Sequence, residues 1–213
     1  MGLAPYGEPR YVDTILELLV DLKDDGSLAM DMRYFNYCEG LRMTSPVFDT
    51  LFDGPPRQPE APISRREMDL AASIQKVTEE VVLRMAREAR RLTGARYLCL
   101  AGGVALNCVA NGRLLQEGIF DDVWIQPAAG DAGGALGAAL FVQRQLLKEP
   151  RPKVDDDLMR GAYLGPRFTN DDVAARLEAQ GAVFKRYEDE ADLLREVASR
   201  IAGGSVVGWF QGR

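Results

Sequence analysis

RYLCLAGGVALNCVANGRLL (Arg96–Leu115), followed by DDVWIQPAAGDAGGALGAALFVQRQLL (Asp121–Leu147), decides the fold. The stretch reads as strand, glycine turn, helix, strand, glycine turn, helix. Tyr97-Leu98-Cys99-Leu100 is a short apolar run that stops at Gly102-Gly103, and Ala105–Leu115 takes up a helical pattern. Asp122-Val123-Trp124-Ile125 is the second short strand. Pro127–Gly134 is a turn carrying Asp131, and a small-residue helix is expected over Ala135–Leu147. Strands that alternate with helices pair in parallel, because the crossover between parallel strands needs a dozen or more residues. Ligands of such sheets collect beyond the carboxyl ends of the strands, so both glycine turns are expected to face one crevice.

Upstream, Ser64-Arg65-Arg66-Glu67 is a capping box in which the serine hydroxyl and the glutamate answer each other's amides. The apolar positions Leu70, Ile74, Val77, Val81, Met85, Ala89 and Leu92 recur every three or four residues, and Gly94 supplies a left-handed cap. Arg84, Arg87, Arg90 and Arg91 gather near the end of this helix, where cations suit its dipole, and read as a solvated face. Pro9–Lys23 predicts another helix, broken by Asp24-Asp25-Gly26. Leu28–Met32 predicts an edge strand, Ser45–Phe52 a short helix, and Asp53–Pro62 a proline-rich loop. Met1–Gly7 (MGLAPYG) has the composition of a turn at a working surface, with a frayed terminus as the other reading.

The remainder carries a change of character. Glu149-Pro150-Arg151-Pro152 and Asp155-Asp156-Asp157 form a polar linker, so the expected division is residues 1–149, a linker 150–160, and a new run 161–213. That run predicts a helix capped by Thr169 with Asp172 in its first turn, a strand Ala182–Tyr187, a helix Glu190–Ala202 and a strand Val206–Phe210. Trp209 and Phe210 read as core.

Composition narrows the chemistry. The 213 residues suffice for one large domain or about one and a half smaller ones. A net charge of −6 argues against general nucleic-acid binding, which needs a basic face. No apolar run approaches the roughly 18 residues of a membrane span, and no signal peptide is visible. The three cysteines (Cys38, Cys99, Cys108) form neither a disulfide framework nor a CxxC pair. Cys99 and Cys108 therefore read as core packing, in a cytoplasmic protein. The chain contains no histidine, which excludes Ser-His and Cys-His dyads and the commonest metal ligand. Any metal site must use carboxylates or ligands from elsewhere.

The glycine turns carry the remaining chemistry. Gly102 and Gly103 let backbone approach a bound group, with Asn107 one helical turn on; a tight strand–helix junction is the alternative. Asp131 sits among Gly130, Gly133 and Gly134, without bulky neighbours. It suits a hard cation or a nucleotide-bound metal, or else caps the following helix. That helix is nearly smooth and allows close approach of a sheet or a flat ligand such as adenine.

Together, MGLAPYG (Met1–Gly7), LCLAGGVALN (Leu98–Asn107), PAAGDAGGALGAA (Pro127–Ala139) and VVGWFQGR (Val206–Arg213) resemble the antibiotic and nodulation-factor O-carbamoyltransferases. That family joins a domain similar to the tRNA threonylcarbamoyl-transfer protein, of the actin-like/sugar kinase/Hsp70 superfamily, to one similar to threonylcarbamoyl-adenylate synthase. The resemblance implies an α/β fold of this kind: the later part of the first domain in residues 1–149, and the opening of the second from residue 161. It implies that carbamoyl phosphate and ATP form carbamoyl-adenylate in the second domain, and that the carbamoyl group then passes to a hydroxyl of a sugar or natural product in the first. Gly102, Gly103 and Asn107 would line the nucleotide site together with Gly130, Gly133 and Gly134. Asp131 would be the catalytic carboxylate and metal ligand, to an iron(II)-type centre, with magnesium accompanying ATP. Arg213 would belong to an arginine-bearing phosphate site, with a disordered end as the other reading. Nucleic acid and membrane are not expected partners; a homo-oligomer is compatible.

This sequence departs from the pattern in two respects. The family's metal site also takes histidines from an HxxxH-like segment that precedes MGLAPYG, and its second domain runs well beyond the counterpart of Arg213. The 213 residues thus read as an internal fragment, with its own activity in doubt. A sugar kinase or other ATPase of the same superfamily is the alternative enzyme, although no DxGxxT-type phosphate hairpin is present. A catalytically silent nucleotide-binding module is the alternative of another class.

Overall fold

The computed structural model describes residues 1–151, 153 and 157–210, and the chain divides into two compact units, Met1–Glu149 and Pro150–Arg213. The first unit is laid along one helix, α3 (Arg65–Thr93), whose 29 residues extend about 44 Å at 1.5 Å per residue. One apolar cluster, Ile15, Leu19, Tyr34, Phe52 and Val77, gathers on it from the π-helical turn Ile15–Leu19 that continues α1 (Val12–Thr14), the 3-10 turn Met32–Tyr34 and the end of α2 (Pro46–Leu51). Tyr11 meets Phe52 edge-on, with ring centroids 5.3 Å apart. A second cluster, Leu83, Ala86, Leu114 and Phe120, is flanked by Leu98, Leu100 and Val123, and joins α3 to the sheet.

That sheet is the parallel pair β3 (Tyr97–Leu100) and β4 (Asp122–Ile125), in register from Tyr97↔Asp122 to Leu100↔Ile125. The crossover contains α4 (Cys108–Gln116), as the alternation predicts. α5 (Gly134–Phe141) follows the second turn and continues as a π-helical turn over Val142–Leu146.

Several expectations fail for identifiable reasons. The Pro9–Lys23 helix stops at Leu19, and Val20–Leu22 becomes strand β1, paired antiparallel with β2 (Leu28–Met30). The hairpin's ladder outweighs the helical periodicity, because Val20 is β-branched and Gly26 turns the chain at φ 82°. Cys99 and Cys108 are exposed rather than core: Cys99 is on the face of β3 turned away from the cluster that packs Leu98 and Leu100, and Cys108 is the first residue of α4. Of the apolar stripe on α3, only Val77 is buried, while Ile74 and Met85 open into an apolar groove of about 1020 Å³ and Leu92 is 67 % exposed. The arginines near its end are not merely solvated. Arg84 pairs with Glu80, Arg87 with Glu117 and Arg91 with Glu88, and Arg90 bonds the carbonyls of Gly94 and Ala95.

The second unit contains α6 (Asn170–Ala179) and α7 (Glu190–Ala202). Thr169 and Asp172 cap α6 reciprocally, at 2.9 and 3.1 Å. Ala182–Tyr187 and Val206–Phe210 are not strands, since neither finds a ladder partner among the described residues, and Phe210 is 82 % exposed and Trp209 half-exposed rather than core. Arg213 and most of the expected linker's acidic run lie outside the described residues. No helix among the described residues is long and apolar enough to cross a membrane.

Both ends of α3 are closed as the sequence predicts. Gly94 adopts φ 62° and donates its amide to Arg90 O. At the other end, Ser64 donates its amide and hydroxyl to Glu67 Oε2 at 2.8 and 2.6 Å, and Arg66 donates to Oε1 at 3.0 and 2.9 Å. The Ser64 bonds first, then Arg66, hold the Glu67 carboxyl down from 4.5 to about 2. A depressed folded-state pKa means that this stabilisation is complete above pH 4.5 or so and vanishes as pH falls through about 2. Glu67→Ala is therefore expected to lower the melting temperature by about 2–4 °C near neutrality. The gap to the unaltered protein should narrow below pH 4.5 and close towards pH 2, as followed by circular dichroism.

Candidate functional site

The parallel ladder carries both glycine turns to one end of the sheet. Beyond the last register pair, the Gln126 amide donates to Leu100 O at 3.1 Å, and the Gly102 amide then donates to Ala129 O at 2.8 Å, so the turns are bonded directly to each other. Gly102 holds φ 104° and ψ 162°, a conformation open to glycine and strained for other residues. A single 3-10 turn, Gly103–Leu106, follows, and the amides of Gly103 and Val104 head it without an acceptor inside the turn. Buried Asn111 donates to Ala105 O at 2.7 Å and holds this turn from behind. Leu106 reaches the second loop, where its Cδ1 lies 3.5 Å from where a Cβ on Gly130 would stand.

In that second loop, Asp131 opens the 3-10 turn Asp131–Gly133 and is exposed. Its side chain makes no cap hydrogen bond, and Gly133 is the N-cap of α5, so the helix-cap reading of Asp131 does not hold. Gly133 is required sterically: a Cβ there would stand 2.1 Å from Ala128 O, whereas one on Gly134 meets nothing within 4 Å. α5 buries none of its residues, and Leu136, Leu140 and Phe141 stand exposed on it.

Asn107 serves two partners. Its Oδ1 accepts from the Ala110 amide at 3.1 Å, capping α4, and from Gln75 Nε2 at 3.2 Å, while its Nδ2 donates back to Gln75 Oε1 at 3.0 Å. Gln75 also donates to Glu79 at 3.0 Å, and Glu79 pairs with Arg113 of α4 at 3.2 Å. The MGLAPYG motif joins the same neighbourhood. Met1 Sδ lies 3.8 Å from Cys108 Sγ at the start of α4, and a Cβ on Gly7 would stand 1.9 Å from Met68 O of α3. Asp69 and Ser73 of α3 hold the chain just after the motif. Asp69 accepts from the Glu8 amide at 2.7 Å and pairs with Arg10 and Arg65, and Ser73 accepts from the Tyr11 amide at 3.0 Å.

Three motifs scattered through the sequence thus meet around the sheet end and the first half of α3. Gly102, Gly103 and Asn107 adjoin Gly130 through the inter-turn bond, with Asp131 next in the chain. The sequence reading missed Asp69, Ser73, Gln75, Glu79 and Asn111, all buried polar side chains. Their available signal was the repeat of polar residues four apart, Asp69/Ser73 and Gln75/Glu79, inside an otherwise amphipathic helix. Metal binding is a different matter. Among the described residues no group of three or more Asp, Glu or Cys side chains is placed to hold an ion, so Asp131 offers a single carboxylate.

The turn geometry can be tested through paired substitutions. Gly133→Ala is expected to destabilise the protein by about 1–3 kcal/mol, because backbone must move to admit the methyl group. Gly134→Ala, facing open space at the start of α5, is expected to be neutral or to stabilise by about 0.4–1 kcal/mol. Urea unfolding of the two variants checks the contrast, and equal effects would contradict it.

Residues 1–140 match the family model described as carbamoyltransferase N-terminus. Over the whole chain it is 60 % identical to the uncharacterized protein sll1178 of Synechocystis sp., covering 35 % of that protein. It is 37 % identical to nodulation protein NolO of Bradyrhizobium diazoefficiens and 38 % identical to nodulation protein NolNO of Sinorhizobium fredii, covering 36 % and 29 % of them. The chain therefore spans about a third of the length of these relatives. With the family model matched over most of its length, the chain belongs to the carbamoyltransferase family.

Proposed function

We propose that these residues form part of an O-carbamoyltransferase that moves a carbamoyl group from carbamoyl phosphate, by way of an ATP-derived carbamoyl-adenylate, to a hydroxyl of a sugar or natural product. The observation that carries the reading is the bond from the Gly102 amide to Ala129 O, within a chain of this family. It sets a glycine turn, followed by a 3-10 turn whose Gly103 and Val104 amides have no acceptor inside the turn, beside a loop that bears an exposed carboxylate. In the transfer step the acceptor oxygen bonds the carbamoyl carbon, the bond to the adenylate phosphate breaks, and AMP leaves. The hydroxyl proton passes to a base.

Each part of the cleft has a role in this reading. The amides of Gly103 and Val104 are donors for the adenylate phosphate, since fixed backbone dipoles stabilise charge without reorganising. Gly102, Gly130, Gly133 and Gly134 line the space that the nucleotide takes, and at Gly102 and Gly134 a Cβ would stand in open space. Asn107 fixes the far end of its turn by capping α4. Asp131 is one ligand of the family's cation. The described residues do not complete such a site.

Purified intact protein supplied with ATP and carbamoyl phosphate tests the reading. Carbamoyl-phosphate-dependent pyrophosphate release is expected, whereas ADP formed with a sugar alone would indicate a kinase, and neither product would indicate a silent binding module. Asp131→Asn in the intact protein is expected to abolish carbamoyl transfer and spare pyrophosphate release, because the carboxylate belongs to the transfer cleft alone. Equal loss of both steps would contradict that assignment.

A further inference from the structure

The polar side chains buried in the first half of α3 are too well organised to be incidental packing. Asp69 is 2 % exposed and Ser73 fully buried, and burial of such groups is costly unless every one is bonded. Among the described residues no buried side-chain nitrogen or oxygen lacks a partner. The bonds fall into two clasps. Asp69 and Ser73, four residues apart, grip the Glu8 and Tyr11 amides directly after MGLAPYG. Gln75 and Glu79, again four apart, grip Asn107 and Arg113 at the GGVALN turn and α4. At about 100° per residue the clasps sit roughly 120° apart around one rigid helix, separated by about 9 Å along its axis.

The first clasp holds two backbone amides, and the second holds the capping side chain of Asn107 together with the Arg113 guanidinium. Ser73 also donates to Asp69 O at 2.6 Å, which ties the first clasp to the helix backbone itself. Gln75 and Asn107 exchange both of their amide bonds, an arrangement that fixes the orientation of each. The Asn107 oxygen so oriented also caps α4, so the Gln75 contact is transmitted to the end of the GGVALN turn.

We propose that Gln75 is a positioning residue that acts through Asn107, and that α3 fixes the GGVALN turn relative to the MGLAPYG loop. This rests on the reading of the GGVALN turn as a wall of the transfer cleft. Gln75 itself touches no reacting group; its effect is on where the turn stands.

The experiment uses the intact protein and combines kinetics with amide hydrogen exchange. Gln75→Met keeps the volume and removes both bonds to Asn107 as well as the bond to Glu79, while Asn107→Ser retains a capping oxygen and removes the amide. Each single variant is expected to lower kcat for carbamoyl transfer about tenfold with little change in KM, and the double variant no further, since one interaction is removed once. Multiplying effects, an unchanged kcat in Gln75→Met, or losses that only follow the melting temperature would overturn the proposal. In the exchange arm, Gln75→Met should speed exchange at Ala105–Asn111 and leave the Tyr11 amide unchanged, with Ser73→Ala doing the reverse. Uniform acceleration, or none, would overturn it as well. If the unaltered protein transfers no carbamoyl group, the functional reading fails by itself and the exchange arm still decides whether α3 sets the two loops independently.

Discussion

Parallel strands cannot be joined by a tight hairpin, and that constraint governs this molecule. The chain must leave β3 at its carboxyl end, cross over through α4 and re-enter β4 at the opposite end, so the turns that follow the two strands emerge side by side. The Gly102–Ala129 bond is the direct consequence. Two glycine-rich segments separated in sequence by a full helix become one surface. Glycine is needed there for different reasons at different places: Gly102 for its positive φ, Gly133 for its contact with Ala128 O.

The second organising element is α3, which works on three sides. Its apolar residues join the two hydrophobic clusters, and its polar residues hold the MGLAPYG loop on one flank and Asn107 on the other. Hydrogen bonds of this kind add little net stability when made, but an unmet buried partner costs about 1–3 kcal/mol. The polar face therefore specifies placement more than it adds strength. Positioning of that sort serves the proposed group transfer, since misplacing a reacting group by about 1 Å can cost about a hundredfold in rate.

What could be read from the sequence was local. The strands Tyr97–Leu100 and Asp122–Ile125, the capping boxes at Ser64 and Thr169, and the Gly94 cap depend on residues within a few positions of one another, and all are found. The four motifs were enough to indicate the carbamoyltransferase family. What could not be read was long-range. Glu8 meets Asp69 across 61 positions and Asn107 meets Gln75 across 32, and no periodicity announces either pair. The helical pattern of Pro9–Lys23 gave way to a ladder with Leu28–Met30 for the same reason. Strand-like runs at Ala182–Tyr187 and Val206–Phe210 failed because β structure needs a partner that composition does not supply.

At the centre of this account is one shared cleft, formed by the residue 102–107 turn and the residue 130–134 turn. A crystal structure of the intact protein with a non-hydrolysable carbamoyl-adenylate analogue tests it most directly. The account predicts the analogue's phosphate at the Gly103 and Val104 amides, with the same molecule in contact with the loop that carries Asp131. An analogue bound against only one of the two turns, or away from both, would contradict it.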